Sequence, residues 1–212
     1  GTLTNNYVFY NGSYLVSDAI TSVKSGSSTT ATELTNRKYY YDDNGNITEI
    51  TTASGQILNK YYYDTKGQLY REDNLVLNAS YEWEYDDAGN ITEKKTYAFT
   101  TGDLGTPIST INYTYQANTD RLISYNGYGI IYDEIGNPTT YKGMSLGWKN
   151  GRQLYHYGNY IYSYDANGIR TKIQYSSNIT DFIVDGSTVL RQSWNDWSNG
   201  NYVADYIYSE AG

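Results

Sequence analysis

An all-β chain of tandem antiparallel hairpins is what this sequence predicts. Three observations carry the prediction: large side chains alternate with a period of two, an acid-and-glycine turn signature recurs at a fixed spacing, and no stretch sustains helical periodicity. The signature stands at Tyr41-Asp42-Asp43-Asn44-Gly45-Asn46, Tyr63-Asp64-Thr65-Lys66-Gly67-Gln68, Tyr85-Asp86-Asp87-Ala88-Gly89-Asn90, Tyr132-Asp133-Glu134-Ile135-Gly136-Asn137 and Tyr164-Asp165-Ala166-Asn167-Gly168-Ile169. A degenerate copy runs from Tyr115-Gln116 to Asp120. Tyr41, Tyr63 and Tyr85 follow one another with a period of 22 residues. The longer step to Tyr115 leaves room for an insertion, expected in the Gly- and Thr-rich stretch Thr100 to Thr110, and Trp148 heads a diverged copy midway between Tyr132 and Tyr164.

Each part of the unit has its own reason. Before the acid, Tyr39 and Tyr41, Tyr61 and Tyr63, Tyr81, Trp83 and Tyr85, and Tyr160, Tyr162 and Tyr164 alternate, which places them on one face of a strand. Asp followed three residues later by Gly fits a type I turn whose last residue takes positive φ, the hairpin loop that carries a bulge. The Asp side chain accepts backbone N–H groups inside such a turn. Ile47 to Ile50, Leu69 to Arg71 and Ile91 to Lys94 then form returning strands. Asn11-Gly12, Asn126-Gly127, Asn150-Gly151 and Asp185-Gly186 add further turn signals. A twisted ribbon of this many strands is expected to curl or fold back and bury its tyrosine face. The reading treats residues 1–212 as one array, with clear repeats over about 37–175, hairpins over 176–212 and less regular leading strands over 1–36.

Composition sets the outer bounds. The chain has 212 residues, a net charge of −8 and 28 tyrosines, so its packing must run through rings that each carry a hydroxyl. Without cysteine there is no disulfide, thiol nucleophile or thiolate metal site, and one histidine cannot make a His-rich ligand set. The 15 basic residues are scattered, which argues against nucleic acid. No apolar run approaches the roughly 18 residues needed to span a bilayer. Gly1 to Tyr10 show neither the basic start nor the apolar stretch of a secretory signal, and Gly in place of Met at position 1 is what an excised piece would show.

Candidate chemistry is sparse. Asp42, Asn44 and Asn46 place oxygens at alternate positions, as in the opening of a calcium loop, but the glycine is misplaced and no bidentate Glu follows, so turn chemistry is the favoured reading. Asp42 with Asp43, and Asp86 with Asp87, could serve as a hydrolase pair only with a cleft and a raised pKa. His156, flanked by Tyr155 and Tyr157, has no nucleophile signature around it and is read as a strand or turn side chain. Trp194, Trp197 and Tyr202 are the candidates for stacking on a sugar ring, against the competing reading that such rings pack the sheet or line a shell.

The repeated Y-D-x-x-G-N signature resembles the YD-repeat, or RHS-repeat, family of large bacterial surface and secreted proteins, over residues 37 to 208. The stretch Tyr164 to Lys172, including Gly168 and Arg170, with its following hairpin is similar to the approach to the family's core region. Gln116, Pro138 and Ile169 depart from the pattern, which predicts distorted hairpins there. The resemblance implies a spiral β-shell that encloses a C-terminal polypeptide such as a toxin, as in the teneurin-like branch of the fold, and it implies no catalytic residue, cofactor or metal in this stretch. The expected role is a non-catalytic scaffold, secreted or at the bacterial cell surface. Its expected partners are the rest of its own parent chain and the enclosed cargo, with self-association through sheet edges. A carbohydrate- or cell-wall-binding surface is the alternative.

Overall fold

A computed structural model describes residues 2–26, 30–196 and 200–206, and among them there is strand, turn and loop but no helix. The chain divides into two compact units, 1–113 and 114–212. Strands of the first unit are β1 (Thr2–Phe9), β2 (Val16–Lys24), β3 (Thr32–Tyr41), β4 (Ile47–Thr52), β5 (Ile57–Tyr63), β6 (Leu69–Asn74), β7 (Ala79–Tyr85), β8 (Ile91–Ala98) and β9 (Ser109–Tyr115), whose last two residues belong to the second. The second unit continues with β10 (Leu122–Tyr125), β11 (Tyr128–Gly129), β12 (Thr140–Tyr141), β13 (Met144–Lys149), β14 (Gln153–Tyr157), β15 (Tyr160–Tyr164), β16 (Arg170–Tyr175), β17 (Asn178–Asp185), β18 (Thr188–Asp196) and β19 (Gly200–Asp205). Within the first unit each of β1 to β8 pairs antiparallel with the next in chain order. In the second unit β10 pairs with β11, and β12 to β19 pair successively in the same way.

Paired residues in an antiparallel ladder share a face, so the register sorts the side chains. In the first unit one face carries Tyr39, Tyr61, Tyr81 and Trp83, with Ile50 opposite Tyr39 and Lys94 opposite Trp83. The other carries Lys38, Lys60, Arg71, Asp73, Glu82 and Lys95 in cross-strand register. A one-residue slip would exchange the two sets, and a register shift just before each of Tyr41, Tyr63, Tyr85 and Tyr164 marks where turn and strand are reconciled.

Burial departs from the expectation of a folded-back sheet. Among the described residues the buried apolar side chains are Tyr97 and Ile130, while the signature tyrosines are half-buried. A sheet face with only lateral neighbours covers a ring partly, and tyrosine tolerates this because its hydroxyl needs water or an acceptor in any case. The most deeply buried side chains lie on the charged face: Asp73 and Ser80 are fully buried. The Arg71 guanidinium grips Asp73 through Nε at 2.9 Å and Nη2 at 3.1 Å, and its Nη2 also reaches the Gly102 carbonyl at 2.6 Å. Ser80 Oγ donates to the Thr100 carbonyl at 2.9 Å. Loop 99–108, between β8 and β9, is therefore the insertion, and it covers the charged face by giving up its carbonyls to that face.

Candidate functional site

The turns come first because they aim the tyrosines. In the Tyr41 copy the Gly45 N–H donates to the Asp42 carbonyl at 3.0 Å, and Asp42 Oδ1 accepts the N–H groups of Asn44 at 3.0 Å and Asn46 at 2.8 Å. Asn46 Nδ2 closes the other carboxylate oxygen at 3.0 Å. The Asp86–Asn90 and Asp133–Asn137 copies repeat the whole set, and Asp64 and Asp165 repeat its backbone part. Gly45, Gly67, Gly89, Gly136 and Gly168 all take φ between +78° and +90°, where a Cβ is strained. Ile169 supplies its backbone N–H but has no side-chain amide to offer Asp165. At the Gln116 copy the loop is one residue longer, with the Gln116 N–H donating to the Arg121 carbonyl and Asn118 at positive φ. Pro138 has no N–H for a ladder, and Tyr132 meets it in an isolated bridge where other copies start a full strand.

The three turns closed by an asparagine amide favour the charged form of their acids. Asn46 and Asn90 side-chain amides, with the backbone N–H groups around them, hold the Asp42 and Asp86 carboxyls below the usual aspartate range. At Asp133 burial pushes upward and the hydrogen bonds from Asn137 outweigh it. A general acid for glycoside hydrolysis needs the opposite shift.

Beyond the turns, a second device repeats. Six ladders between neighbouring hairpins stop at Asp18↔Lys38, Glu49↔Lys60, Arg71↔Glu82, Ser124↔Gly129, Thr140↔Ser145 and His156↔Ile161, after which the strands fork. At these six forks, the aromatic residue three positions past the last pair donates to the carbonyl two positions before it; the β16–β17 ladder stops at Lys172↔Asp181, where Val184 stands three positions on and has no donor to give. Tyr41 reaches Val16 at 2.9 Å, Tyr63 reaches Ile47 at 2.9 Å, Tyr85 reaches Leu69 at 2.5 Å, Tyr132 reaches Leu122 at 2.6 Å and Tyr164 reaches Leu154 at 2.6 Å. The sixth fork is held by Trp148, whose indole Nε1 donates to the Pro138 carbonyl at 2.7 Å. Trp148 thus does a signature tyrosine's work with a different donor. Burial raises the Tyr41, Tyr63 and Tyr85 hydroxyls above the ordinary tyrosine value, so they stay protonated as donors.

One copy escapes the sequence reading. Phe9 pairs with Val16 after a register shift, as Tyr41 pairs with Ile47, and Tyr10 takes the acid's place: its N–H donates to the Leu15 carbonyl as the Gln116 N–H does to that of Arg121, and Gly12 takes φ +73°. The Asn11-Gly12 pair directly after a tyrosine was the available signal. The Tyr10 hydroxyl turns inward to the Tyr39 carbonyl at 2.7 Å, with its ring edge-on to Tyr41.

The remaining candidates disperse. Arg170 opens β16 opposite Tyr164 and stands over the Tyr162 ring at 5.5 Å. Trp194 and Tyr202 face each other across β18 and β19 and stack, with centroids 5.5 Å apart and planes at 17°. Trp197 lies outside the described residues. His156, in β14, sits edge-on to Tyr155 and so close over Gly147 that a Cβ there would come within 2.3 Å of its ring.

Fold and turns together define a class: an all-β chain of tandem hairpins whose forks are closed by aromatic donors. Among solved structures, the crystal structure of TcdB2-TccC3 is similar, with a TM-score of 0.61 and 14% identity over 95% of this chain. The chain spans 11% of the length of that one. No family model and no curated protein matches it.

Proposed function

We propose that the chain is a non-catalytic repeat scaffold, a stretch of wall in an RHS/YD-type shell that encloses a C-terminal polypeptide such as a toxin, in a secreted or bacterial surface protein. The observation that carries the reading is the commitment of the signature groups to structure. The acids accept from their own turns and the aromatic donors close forks, so the recurring chemistry of each unit is spent on extending the sheet by one more hairpin. The likeness in fold to TcdB2-TccC3, and the small share of that chain covered, support a segment of a larger assembly. Protease challenge of the full gene product tests it. An enclosed polypeptide survives while the repeats are intact and is digested once Gly45→Val and Gly89→Val open the wall; equal digestion in both cases refutes enclosure.

The stacked Trp194 and Tyr202 pair, with Tyr202 39% exposed, favours a second reading as a glycan platform. Glycan-array binding that disappears with Trp194→Ala would select it.

A further inference from the structure

We infer that a cavity on the second unit, held between the β14–β15 and β16–β17 turns, is a binding site for a neutral saccharide. The inference rests neither on the shell reading nor on the Trp194 and Tyr202 platform. Strand pairing puts both turns at one end of the sheet: Gly158-Asn159 closes Tyr157↔Tyr160 and Ser176-Ser177 closes Tyr175↔Asn178, with the β15–β16 ladder between them. The hollow between them has a volume of about 760 Å³, within the roughly 300 to 1,000 Å³ of small-molecule sites. Its floor is a cross-strand row, His156↔Ile161 and Ile161↔Gln174. Side chains alternate between faces, and Ile173↔Thr180 and Thr180↔Trp194 form the next row, so this floor and the Trp194 ring lie on opposite faces.

Two local features build the site. Gly147 pairs with His156 and Trp148 with Leu154, which leaves Tyr155 as the extra residue of a bulge. Tyr155 and His156 therefore turn to the same side, and both rings come within 2.5 Å of where a Cβ on Gly147 would stand, a place only glycine leaves empty. Lys149 Nζ lies 4.5 Å from the Tyr155 ring centre and His156 sits edge-on to that ring, so this wall is fixed before anything binds. On the far side Gln174 Nε2 donates to the Ser176 carbonyl at 3.2 Å, which sets its amide.

The cavity stands apart because its polar groups are unspent. Turns and forks consume theirs, and beside Trp194 the Asn195 side chain accepts the Ile179 N–H on Oδ1 and donates from Nδ2 to the Ser177 carbonyl. Among the described residues, the His156 ring nitrogens, the Asn159 amide and the Ser176 hydroxyl have no hydrogen-bond partner. Imidazole, amide and hydroxyl each donate and accept, as a sugar hydroxyl does, whereas a peptide N–H only donates. No Asp, Glu, Lys or Arg lines the cavity, so an ionised ligand would find no counter-charge in its walls. Ile161, 49% exposed, and the Tyr155 ring supply apolar surface for the C–H face of a pyranose.

Ligand-observed NMR and calorimetric titration of the full chain with glucose, maltose, cellobiose, lactose and N,N′-diacetylchitobiose test the site. At least one is expected to bind with a millimolar or lower dissociation constant, and the charged analogues glucuronic acid and glucosamine to bind about tenfold or more weakly than the best of them. Asn159→Ala and Gln174→Ala each weaken binding about tenfold while thermal melts stay those of the wild type. Ser176→Gly, which removes the hydroxyl and keeps the positive φ of that position, weakens it too. Trp194→Ala leaves it unchanged. Soluble starch and cellulose, run beside maltose and cellobiose, tell a free sugar from one within a polysaccharide, and binding of either kind supports the site. A protein that binds none of these saccharides overturns the inference. So does binding indifferent to both amide substitutions, binding lost with Trp194→Ala in place of them, or tighter binding of the charged sugars.

Discussion

The Tyr63 hydroxyl lies 2.9 Å from the Ile47 carbonyl, and it joins the signature residue of one hairpin to the strand on which the previous hairpin returns. The backbone ladder between β4 and β5 has ended by then, at Glu49↔Lys60. A ring of tyrosine length therefore carries pairing past the point where two turns force the strands apart. Each turn fixes the start of its returning strand, and each staple fixes the distance to the next, which is how a 22-residue spacing becomes a sheet that grows in chain order.

Trp148 provides the sharpest contrast within the repeat. Trp148→Phe keeps a ring but leaves the Pro138 carbonyl without its donor, and should cost about 1 kcal/mol of stability. Trp148→Tyr restores the ordinary signature donor and should recover most of it. Urea denaturation of the three proteins side by side checks the order.

Two glycines should fail for different reasons. Nothing lies within 4 Å of a Cβ built on Gly45, so Gly45→Val costs about 1 to 3 kcal/mol from positive φ alone, and changes to neighbouring side chains should not relieve it. Gly147 has ordinary φ but no room beneath His156. Gly147→Ala should destabilise, and His156→Ala should rescue it only in part in a double-mutant cycle on thermal melts, because Tyr155 Cε1 also lies 2.5 Å from the added Cβ.

Asp73 and Arg71 anchor loop 99–108 from beneath. Asp73→Ala strands a guanidinium that is nearly buried, and should cost about 3 kcal/mol or more, well beyond a surface ion pair. Proteolysis should then cut first within 99–108, since the carbonyls of Thr100 and Gly102 lose the hand that holds them. Cleavage sites read by mass spectrometry decide this.

Alkaline pH should unfold the sheet through its tyrosines. Burial, helped by Glu72, pushes Tyr61 to about 12, and burial with the hydrogen bond to Glu82 pushes Tyr97 to about 12. The unfolded value is near 10. A folded pKa above the unfolded one gives stability that is whole below pH 10 and is lost as pH climbs towards 12. Tyrosinate absorbance should lag that of free tyrosine and then rise together with loss of the β circular dichroism signal.

The repeats themselves were legible because a period-two alternation and an acid-x-x-glycine turn are local, and the structure places each turn where those residues stand. The leading copy was missed because Phe9 replaces the tyrosine and Tyr10 the acid, so the turn had to be recognised from Asn-Gly alone. The burial of Asp73 and Ser80 was not legible, because it depends on which face each strand presents, and the register shifts beside Tyr63 and Tyr85 decide that. Nor did composition reveal that the tyrosine face stays half-open: 28 rings look like a core until their hydroxyls are traced to carbonyls at the forks.

The account stands or falls on the hydroxyls at the forks, and phenylalanine substitution isolates them. The triple variant Tyr41→Phe, Tyr63→Phe, Tyr85→Phe should lose about 3 kcal/mol in urea denaturation, near 1 for each donor removed. A control carrying Phe at the exposed Tyr7, Tyr14 and Tyr70 should unfold as the wild type does. Equal losses in the two triples, or none in the first, would contradict the staple as the joint between hairpins.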